Sequence, residues 1–387
     1  MNRLKTAFKI LFIISWVCLF LWSFRSVRVR LYETVIWALG YGLAPGTSTP
    51  KEFIELSSFH PVSMLKPVQE NFVKEPVFDT IEIHGHIFRD PPKDFLGAMD
   101  KLRSKYFINL SLQTVTASDY LTLRKKFNSE RIFHFVGFNW KHSKDENFGS
   151  LMAKDLEEIA KLGARGIKLW KNFGLMVRDK NDKLIQLDDQ RLDPVWDVVV
   201  KYNLLVCMHT ADPPAFFKPL DEKNERFEEF AKHTSWSFYR DGLPSFDDLI
   251  EQRNRLFQKR RDITFVAQHF GESAHDLKRA GEILEKNPNV YFDIAQRIDE
   301  LGRQPRAARK FFIKWQDRLL FGTDGLPDYE KIKIYWRFLE TDDEYFDYYP
   351  PSKPRKGFWK ISGIHLPKEA LRKIYYENAA KLLGIKM

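Results

Sequence analysis

The sequence predicts an α/β protein, a (β/α)8 TIM barrel with an N-terminal membrane-anchor helix. Three observations lead to this prediction: a charge-free apolar run near the N-terminus, eight short apolar runs after about residue 76, and amphipathic helical patterns between most of these runs. The chain has 387 residues, and a barrel of this type takes about 250. We therefore divide it into an anchor and linker, residues 1–50, and a barrel domain, residues 51–387.

The N-terminal run ILFIISWVCLFLWSF, residues 10–24, has no charged residue and follows Arg3, Lys5 and Lys9. A positive start and an apolar middle are typical of a secretory signal, whereas a membrane span needs about 20 apolar residues. The run reaches that length only when Lys9 and Arg25 extend their charges to the interface. Because no small-residue cleavage site follows at the right distance, we expect an uncleaved signal anchor. A buried core helix is the alternative.

The charges beside this run give the expected topology. Basic residues before and after it are equal in number, three on each side, and the terminal amine adds one positive charge before it. The positive-inside rule then favours a cytoplasmic N-terminus and a folded domain on the extracytoplasmic side of the membrane. The next stretch, 31–44, has the composition of a surface-lying segment, and residues 45–52 have that of a linker.

The net charge of +10 does not indicate nucleic-acid binding. Six basic residues and no acid lie in the first 30 positions, and removing these six charges leaves +4 for the other 357 residues. The basic residues beside the apolar run fit anionic membrane headgroups better than a phosphate backbone. The two cysteines, Cys18 and Cys207, lie in the apolar run and in a predicted strand, so no disulfide framework is expected.

Eight apolar runs are interpreted as the strands of the barrel. They are VFDTIEIH (77–84), YFINLSLQ (106–113), RIFHFVGF (131–138), ARGIKLW (164–170), NLLVCMH (203–209), ITFVAQH (263–269), NVYFDIA (289–295) and RLLFGTD (318–324). Helical patterns between them lie at 149–163, 188–202, 273–287 and 304–315. A doubly wound open sheet is the alternative, but it would usually carry a Gly-rich phosphate loop where this chain has HGHIFRD.

Two insertions interrupt this regular alternation. Residues 210–246 follow the fifth strand and are crowded with charged and aromatic residues, and residues 341–363 follow the last strand and helix and are rich in Tyr, Asp and Pro. Because the βα loops of a barrel lie at the face that carries the chemistry, we expect these insertions to form walls or lids of a substrate pocket. Plain surface decoration is the alternative.

Polar side chains stand at the C-terminal ends of the predicted strands. They are His84 and His86 on strand one, Lys168 on strand four, His209 on five, His269 on six and Asp324 on eight. With a side-chain period of two, His84 and His86 point to one face, and all these strand ends surround one mouth of a barrel. Neutral imidazoles that converge there with a carboxylate predict a site for Zn²⁺ or a similar divalent ion. By contrast, His134 lies mid-strand and is expected to be structural.

The order of these residues resembles the amidohydrolase superfamily. HxH on strand one, His on strands five and six and Asp on strand eight are similar to its pattern, and the nearest branch is the amidohydrolase-related group that includes aminocarboxymuconate-semialdehyde decarboxylase. The stretches GARGIKLW, VCMHTADP, VYFDIA, FGTDG and LPKEALRKIYYENAAKLLG carry the resemblance, which covers roughly residues 77–384.

The resemblance implies roles for individual residues. It implies that His84, His86, His209 and Asp324 are metal ligands, that Asp324 also handles a proton, and that His269 orients or activates water or substrate. Glu82 stands where many relatives have aspartate and could act behind the ligands or as a weak ligand. One divalent metal ion, zinc, is expected. A second ion would require Lys168 to be a carbamylated bridge, whereas the alternative is a lysine paired to an acid or contacting substrate.

The leading functional prediction is a metal-dependent hydrolase in which activated water attacks an amide, ester or lactone carbonyl of a small-molecule substrate. The alternative with the same residues is non-oxidative decarboxylation of an aromatic or unsaturated acid, for which Arg226, Arg240 or Arg297 could bind the carboxylate. A further alternative is a membrane-tethered barrel that binds without turnover, which would be expected to lack a ligand. The sequence leaves self-association into a homo-oligomer open.

Overall fold

The computed structural model describes residues 59, 61–68, 70–87, 93–112, 116–127, 129–350 and 356–386. The predicted anchor, the surface-lying stretch and the linker lie outside the described residues. Their predicted orientation across a membrane therefore stays a prediction. Within the described ranges, no helix is both long and apolar enough to cross a bilayer.

Eight parallel strands form one sheet in the order β1-β2-β3-β4-β5-β6-β7-β8. The strands are β1 Thr80–Gly85, β2 Ser104–Leu112, β3 Ile132–Val136, β4 Gly166–Leu169, β5 Leu205–Met208, β6 Phe265–Ala267, β7 Val290–Asp293 and β8 Leu319–Leu320. The sheet closes on itself because the segment after β8 pairs with β1: Ile83 N–H donates to Phe321 O at 3.1 Å, and Gly85 bridges Gly325. The predicted (β/α)8 barrel is confirmed.

Helices connect the strands and cover the outside of the barrel. They are α1 Phe95–Lys101, α2 Ala117–Phe127, α3 Phe148–Lys161, α4 Asp193–Lys201, α5 Phe227–Lys232, α6 Phe246–Lys259, α7 Leu277–Lys286, α8 Ile298–Leu301, α9 Pro305–Lys314, α10 Tyr329–Glu340, α11 Lys368–Arg372 and α12 Asn378–Leu383. A π-helical turn, Lys373–Glu377, joins α11 to α12. The four helical patterns expected between strands correspond to α3, α4, α7 and α9.

Alternate strand residues fill the inside of the barrel, as the pleat requires. Buried members of this inner cluster are Ile81, Ile83, Ile108, Leu110, Phe135, Leu205, Cys207, Val266 and Leu320. A second, larger cluster, which includes Ile167, Val206 and Phe265, packs the outer side of the strands against the helices. The apolar runs therefore have two buried faces, which explains why they read as almost continuous hydrophobic stretches.

The two shortest strands, β6 and β8, end well before their apolar runs do. The run at 263–269 leaves the sheet after Ala267 because His269 has a φ of 53°. The run at 318–324 leaves the ladder after Leu320, and Asp324 has a φ of 62°. These backbone turns place His269 and Asp324 just beyond the strands rather than within them.

The two insertions are folded segments. Residues 210–246 contain α5 and a small apolar core of their own, in which Phe216, Phe230 and Phe238 pack with Leu249 of α6. In the second insertion, of which the structure describes residues 341–350 and 356–363, Phe346 and Ile361 exchange two backbone hydrogen bonds. Their predicted role as pocket walls stays a prediction.

Candidate metal centre

The first part of the site is at the end of β1. The imidazole rings of His84 and His86 lie 5.3 Å apart, and both Nε2 atoms face Oδ1 of Asp324, at 3.4 Å and 3.0 Å respectively. One ligand atom from each of these three residues lies within 4.8 Å of the others. The N–H of Asp324 also donates to His84 O at 2.8 Å, so the pairing that closes the barrel brings the three side chains together.

A second group lies beside the first. His209, His269 and Glu272 also bring one ligand atom each to within 4.8 Å of the others. The ring of His269 connects the groups, because its centroid is 4.2 Å from that of His209 and 4.7 Å from that of His84. In this conformation Nε2 of His209 contacts Ala211 O at 2.8 Å. The four predicted ligands therefore line one mouth, with His209 in the second group rather than the first.

A strained turn after β6 presents two of these side chains. His269, Phe270, Gly271 and Glu272 have consecutive φ angles of 53°, 58°, 57° and 53°. Left-handed backbone costs a non-glycine residue on the order of 1 kcal/mol. A Cβ on Gly271 would lie 2.6 Å from the Phe292 ring, so glycine is required there for space as well. The turn brings the side chains of His269 and Glu272, three positions apart in the chain, together beside His209.

Glu82 is not part of either group. The pairing of β1 with β2 shifts register between Glu82 and Gly85. Oε1 of Glu82 accepts from the N–H groups of Thr323 and His84, and its Oε2 accepts from the Thr323 hydroxyl at 2.8 Å. Burial raises the pKa of Glu82 to about 8. The structure therefore places Glu82 behind the ligands, where it ties β1 to the segment that carries Asp324.

Asp293 at the end of β7 was not singled out in the sequence. Its Oδ2 lies 2.8 Å from His84 Nδ1, and its Oδ1 accepts from His269 N–H at 2.9 Å and from Ala295 N–H at 3.1 Å. One buried carboxylate thus holds both His84 and the strained turn. The available signal was an acid in the otherwise apolar run VYFDIA, since a fully buried aspartate needs a specific partner.

Glu272 was also missed. It is buried, and Arg297 donates to its Oε2 at 2.5 Å, while its Oε1 lies 3.6 Å from His209 Nε2. Burial raises the pKa of Glu272 to about 8, and Arg297 acts in the opposite direction. The signal in the sequence was an acid three residues after a strand-end histidine.

The residues present fit a divalent metal ion. Nε2 of His84 is buried and makes no hydrogen bond within the described residues, while Asp293 engages Nδ1 of the same ring. A carboxylate on one imidazole nitrogen with the other left free is the usual arrangement of a metal-bound histidine. Burial lowers the pKa of His84, His86, His209 and His269. These imidazoles are therefore neutral and can offer a nitrogen lone pair to a metal ion. Neutral imidazoles with carboxylates are suitable ligands for zinc and other transition metals.

Lys168 projects into the same region from β4. It is 1% exposed, and its Nζ donates to the side-chain oxygen of Gln268 and lies 4.9 Å from the Trp170 ring centroid. Among the described residues, no carboxylate lies within ion-pair distance of this ammonium group. Burial lowers the pKa of Lys168 to about 8. Of the two parts of the alternative for Lys168, the described residues show no direct ion pair with an acid, and contact with substrate stays a prediction.

The three arginines considered for carboxylate binding have different surroundings. Arg297 is paired with Glu272, and Arg226 is buried with Glu229, Asp299 and Glu300 around it. Both charges are already balanced, so neither guanidinium is available to a substrate. Arg240 is exposed in the insertion after β5. Lys168, which is buried, and Lys331, which is partly buried, are two cations near this mouth for which the described residues place no carboxylate within ion-pair distance, and Lys331 donates to Asp324 O at 2.9 Å.

The barrel and the histidine and carboxylate groups at its C-terminal mouth define a metal-binding barrel enzyme. The chain belongs to the amidohydrolase family, since the family model described as Amidohydrolase matches residues 135–385. The predicted membership in the amidohydrolase superfamily is confirmed. The match begins within β3, so the His84 and His86 pair lies outside it, and the fold connects that pair to the matched region.

Solved structures share the fold at low sequence identity. The 2,6-dihydroxybenzoate decarboxylase from Rhizobium is 13% identical with a TM-score of 0.51, over 80% of this chain and 99% of that one. The dihydroxybenzoic acid decarboxylase from Polaromonas sp. JS666, solved with bound manganese and the inhibitor 2-nitroresorcinol, is 14% identical with a TM-score of 0.52, over 80% and 98%. No curated protein matches the chain.

Proposed function

We propose that the protein is a metal-dependent carboxy-lyase that removes CO₂ without oxidation from an aromatic or unsaturated acid. The observation that carries this proposal is the buried ammonium group of Lys168, which has no carboxylate partner among the described residues and stands beside the histidine ligands. A buried charge is costly unless it is paired. Asp324, Asp293 and Glu272 attract this ammonium group from a distance, and a substrate carboxylate would give it a direct ion-pair partner where the metal ligands converge.

The comparisons support this direction. The Rhizobium and Polaromonas structures with the same fold are decarboxylases of dihydroxybenzoic acids, and the second contains manganese. We therefore prefer decarboxylation to the hydrolysis that the sequence first suggested. The proposed substrate is a small aromatic acid with a hydroxyl group beside the carboxylate.

The chain's own residues have defined tasks in this reaction. His84, His86, His209 and Asp324 would hold the ion, which when bound would stabilise negative charge on the substrate oxygens. Lys168 would hold the carboxylate that leaves. The carbon–carboxylate bond breaks, its electron pair stays on the ring carbon, and that carbon takes a proton as CO₂ departs. Asp324 is our candidate for carrying the proton, and His269 and Glu272 would orient the substrate hydroxyl.

The test is CO₂ release by the full chain supplied with manganese or zinc and a set of hydroxybenzoic acids, including 2,6-dihydroxybenzoate. We expect release, and we expect Lys168→Met to lower kcat/KM by about hundredfold. Lys201→Met is the matched control, because Lys201 is exposed on α4 and pairs only with surface Glu157 and Tyr202. If neither metal supports CO₂ release from any acid while esters or lactones are hydrolysed, the proposal is wrong.

Hydrolysis is the second candidate, and one observation favours it. The Asp324 side chain is 29% exposed, so water can reach the carboxylate beside His84 and His86. An ionised aspartate at that position can accept a proton from water that attacks a carbonyl. Turnover of a lactone or ester set with no CO₂ release from acids would favour this reaction.

We also propose that residues 10–24 anchor the enzyme to a membrane, with the barrel on the extracytoplasmic side. The charge-free run and its basic flanks support this. Protease added to intact cells should cleave the barrel domain if the proposed topology is right. Protection of the barrel until the cells are lysed would show that the barrel lies on the cytoplasmic side instead.

A further inference from the structure

The strained turn after β6 presents two side chains, His269 and Glu272, to the candidate metal centre. All four of its residues, 269–272, have left-handed φ angles between 53° and 58°. Three of them are not glycine, and left-handed backbone is unfavourable for residues with a Cβ atom. Such a conformation persists only where the surrounding structure holds it in place. The contacts that hold the turn therefore decide where His269 and Glu272 lie.

The start of the turn is held by β7 and the residues that follow this strand. His269 N–H donates to Oδ1 of Asp293 at 2.9 Å, and His269 Nδ1 lies 3.0 Å from Ala295 O. Because a carbonyl oxygen can only accept, the proton of the neutral imidazole is on Nδ1, and Nε2 keeps its lone pair. These contacts fix His269, but they do not reach the later residues of the turn.

The middle of the turn is held by Arg253 of α6. Nη1 of Arg253 donates to Gly271 O at 2.9 Å, and Oγ of Ser273 donates to the same carbonyl at 3.0 Å. All three residues are buried, so these hydrogen bonds are shielded from water. Ser273 directly follows the turn in the chain, whereas Arg253 belongs to a separate helix. Arg253 is therefore the contact that ties the carbonyl of Gly271 to a neighbouring element.

Arg253 is buried without a direct acidic partner. It is 1% exposed, and no carboxylate of the described residues lies within ion-pair distance of its guanidinium group, which Glu272 attracts from farther away. Its Nη2 donates to the Asn254 side chain at 3.1 Å, and the Phe257 ring centroid is 5.3 Å away. A buried cation without a direct ion-pair partner is costly. Outside α6, Gly271 O is the acceptor that Arg253 reaches within the described part of the chain, so the guanidinium group serves the turn.

The helix that carries Arg253 is itself well fixed. Before its first turn, Ser245 and Asp248 form a capping box, with Ser245 Oγ accepting from Asp248 N–H at 3.1 Å. One turn before Arg253, Leu249 packs into the apolar core of the insertion after β5. A group that sets the position of another must stand on a rigid element, and α6 meets this requirement.

We propose that Arg253 is a positioning residue of the candidate metal centre, which holds the turn that presents His269 and Glu272. It acts through the backbone carbonyl of Gly271. Without this contact the turn should relax from its left-handed conformation and carry the imidazole and the carboxylate away from His209. The inference rests on the roles proposed above for His269 and Glu272, and it does not depend on whether the centre catalyses decarboxylation or hydrolysis.

Hydrogen exchange of the full-length chain in a neutral detergent, followed by mass spectrometry, tests the contact directly. Two N–H groups report on the turn, because Glu272 N–H donates to His269 O at 2.9 Å and Ser273 N–H donates to Phe270 O at 3.1 Å. In Arg253→Met we expect a peptide that covers residues 268–276 to exchange about tenfold faster or more, while peptides of β2 and β3 keep their rates.

Two further variants separate positioning from a general loss of stability. Arg253→Lys keeps a charged donor and should recover part of the protection of the turn. Arg260→Met is the matched control, because Arg260 is a buried arginine at the end of α6 that pairs with Asp197 and Asp262 before β6 begins. This control should leave exchange of the turn unchanged. In activity, Arg253→Met should lower kcat for CO₂ release by about tenfold or more with little change in KM.

The outcomes distinguish this inference from the proposed function. Unchanged exchange of the turn in Arg253→Met overturns the inference, and so does an increase that spreads equally over all the strands. The same effect in Arg260→Met would also overturn it. A wild-type chain that releases no CO₂ from any acid contradicts the proposed function, and the exchange rates then decide on Arg253 by themselves.

Discussion

Oδ2 of Asp293 lies 2.8 Å from Nδ1 of His84, on the side of the imidazole opposite the nitrogen that faces Asp324. The same carboxylate accepts from His269 N–H through its other oxygen. Asp293 therefore fixes the ring orientation of one predicted ligand and the backbone of the turn that presents another. Asp293 is not itself a proposed ligand, yet through these two contacts it can decide whether the centre is assembled.

Asp293→Asn should weaken metal binding by about 10- to 100-fold, because an amide keeps the shape of the side chain but not the charge that orients His84. Metal content after dialysis against graded chelator, measured by elemental analysis, gives this directly. Asp317→Asn is the control, since Asp317 is an exposed acid that pairs with Lys373. Equal retention of metal by both variants would show that Asp293 does not support the ligands.

Metal content of the unaltered chain should be about one divalent ion, and His86→Ala should lose it. His86 shares Asp324 Oδ1 with His84, so its removal leaves the first group with two ligands. His142→Ala is the control, because His142 is a half-buried histidine that contacts Asp145 and Asp155 away from the mouth. Two ions per chain would instead indicate that Lys168 is carbamylated and bridges them.

His134 should make the protein less stable in mild acid. Burial lowers its pKa from 6.5 to about 4, so between these values the unfolded chain takes up a proton that the folded protein does not. The stability present above pH 6.5 is then lost as the pH falls toward 4, by roughly 3 kcal/mol at most. Urea unfolding at pH 7 and pH 4.5 should show a smaller loss for His134→Gln. Identical pH dependence in the two proteins would assign the loss to other groups.

Two glycine substitutions should have opposite effects. An alanine Cβ at Gly322 would lie 2.9 Å from Cβ of His84, so Gly322→Ala must displace β1 or the segment after β8, at a cost of about 1–3 kcal/mol.

At Gly281, in the middle of α7, the nearest side-chain atom is 3.7 Å away, and Gly281→Ala should stabilise the protein by about 0.5–1 kcal/mol. Thermal unfolding of both variants measures this. If Gly322→Ala leaves the unfolding temperature unchanged, the backbone at residue 322 is not in tight contact with His84.

The sequence was sufficient for the barrel, because each strand lies in an apolar run and four of the helices between strands have a clear amphipathic period. It was also sufficient to place His84, His86 and Asp324 at one mouth, since strand ends meet there. It could not place Glu82, because the register shift in β1 has no marker in the residues themselves. Asp293 and Glu272 gave only weak signals, an acid in an apolar run and an acid after a strand-end histidine, because their roles depend on contacts with His84 and His209 that only the closed barrel makes.

The seam between β1 and the segment after β8 has a consequence for biosynthesis. His84 and His86 belong to β1, the first strand to be translated, and Asp324 follows β8, the last one. A ribosome must therefore release nearly the whole domain before the ligand set exists, and a nascent chain carries two exposed imidazoles without their carboxylate. At the proposed metal site, loading would therefore follow closure of the ring of strands, and we expect an incomplete chain to remain free of tightly bound metal.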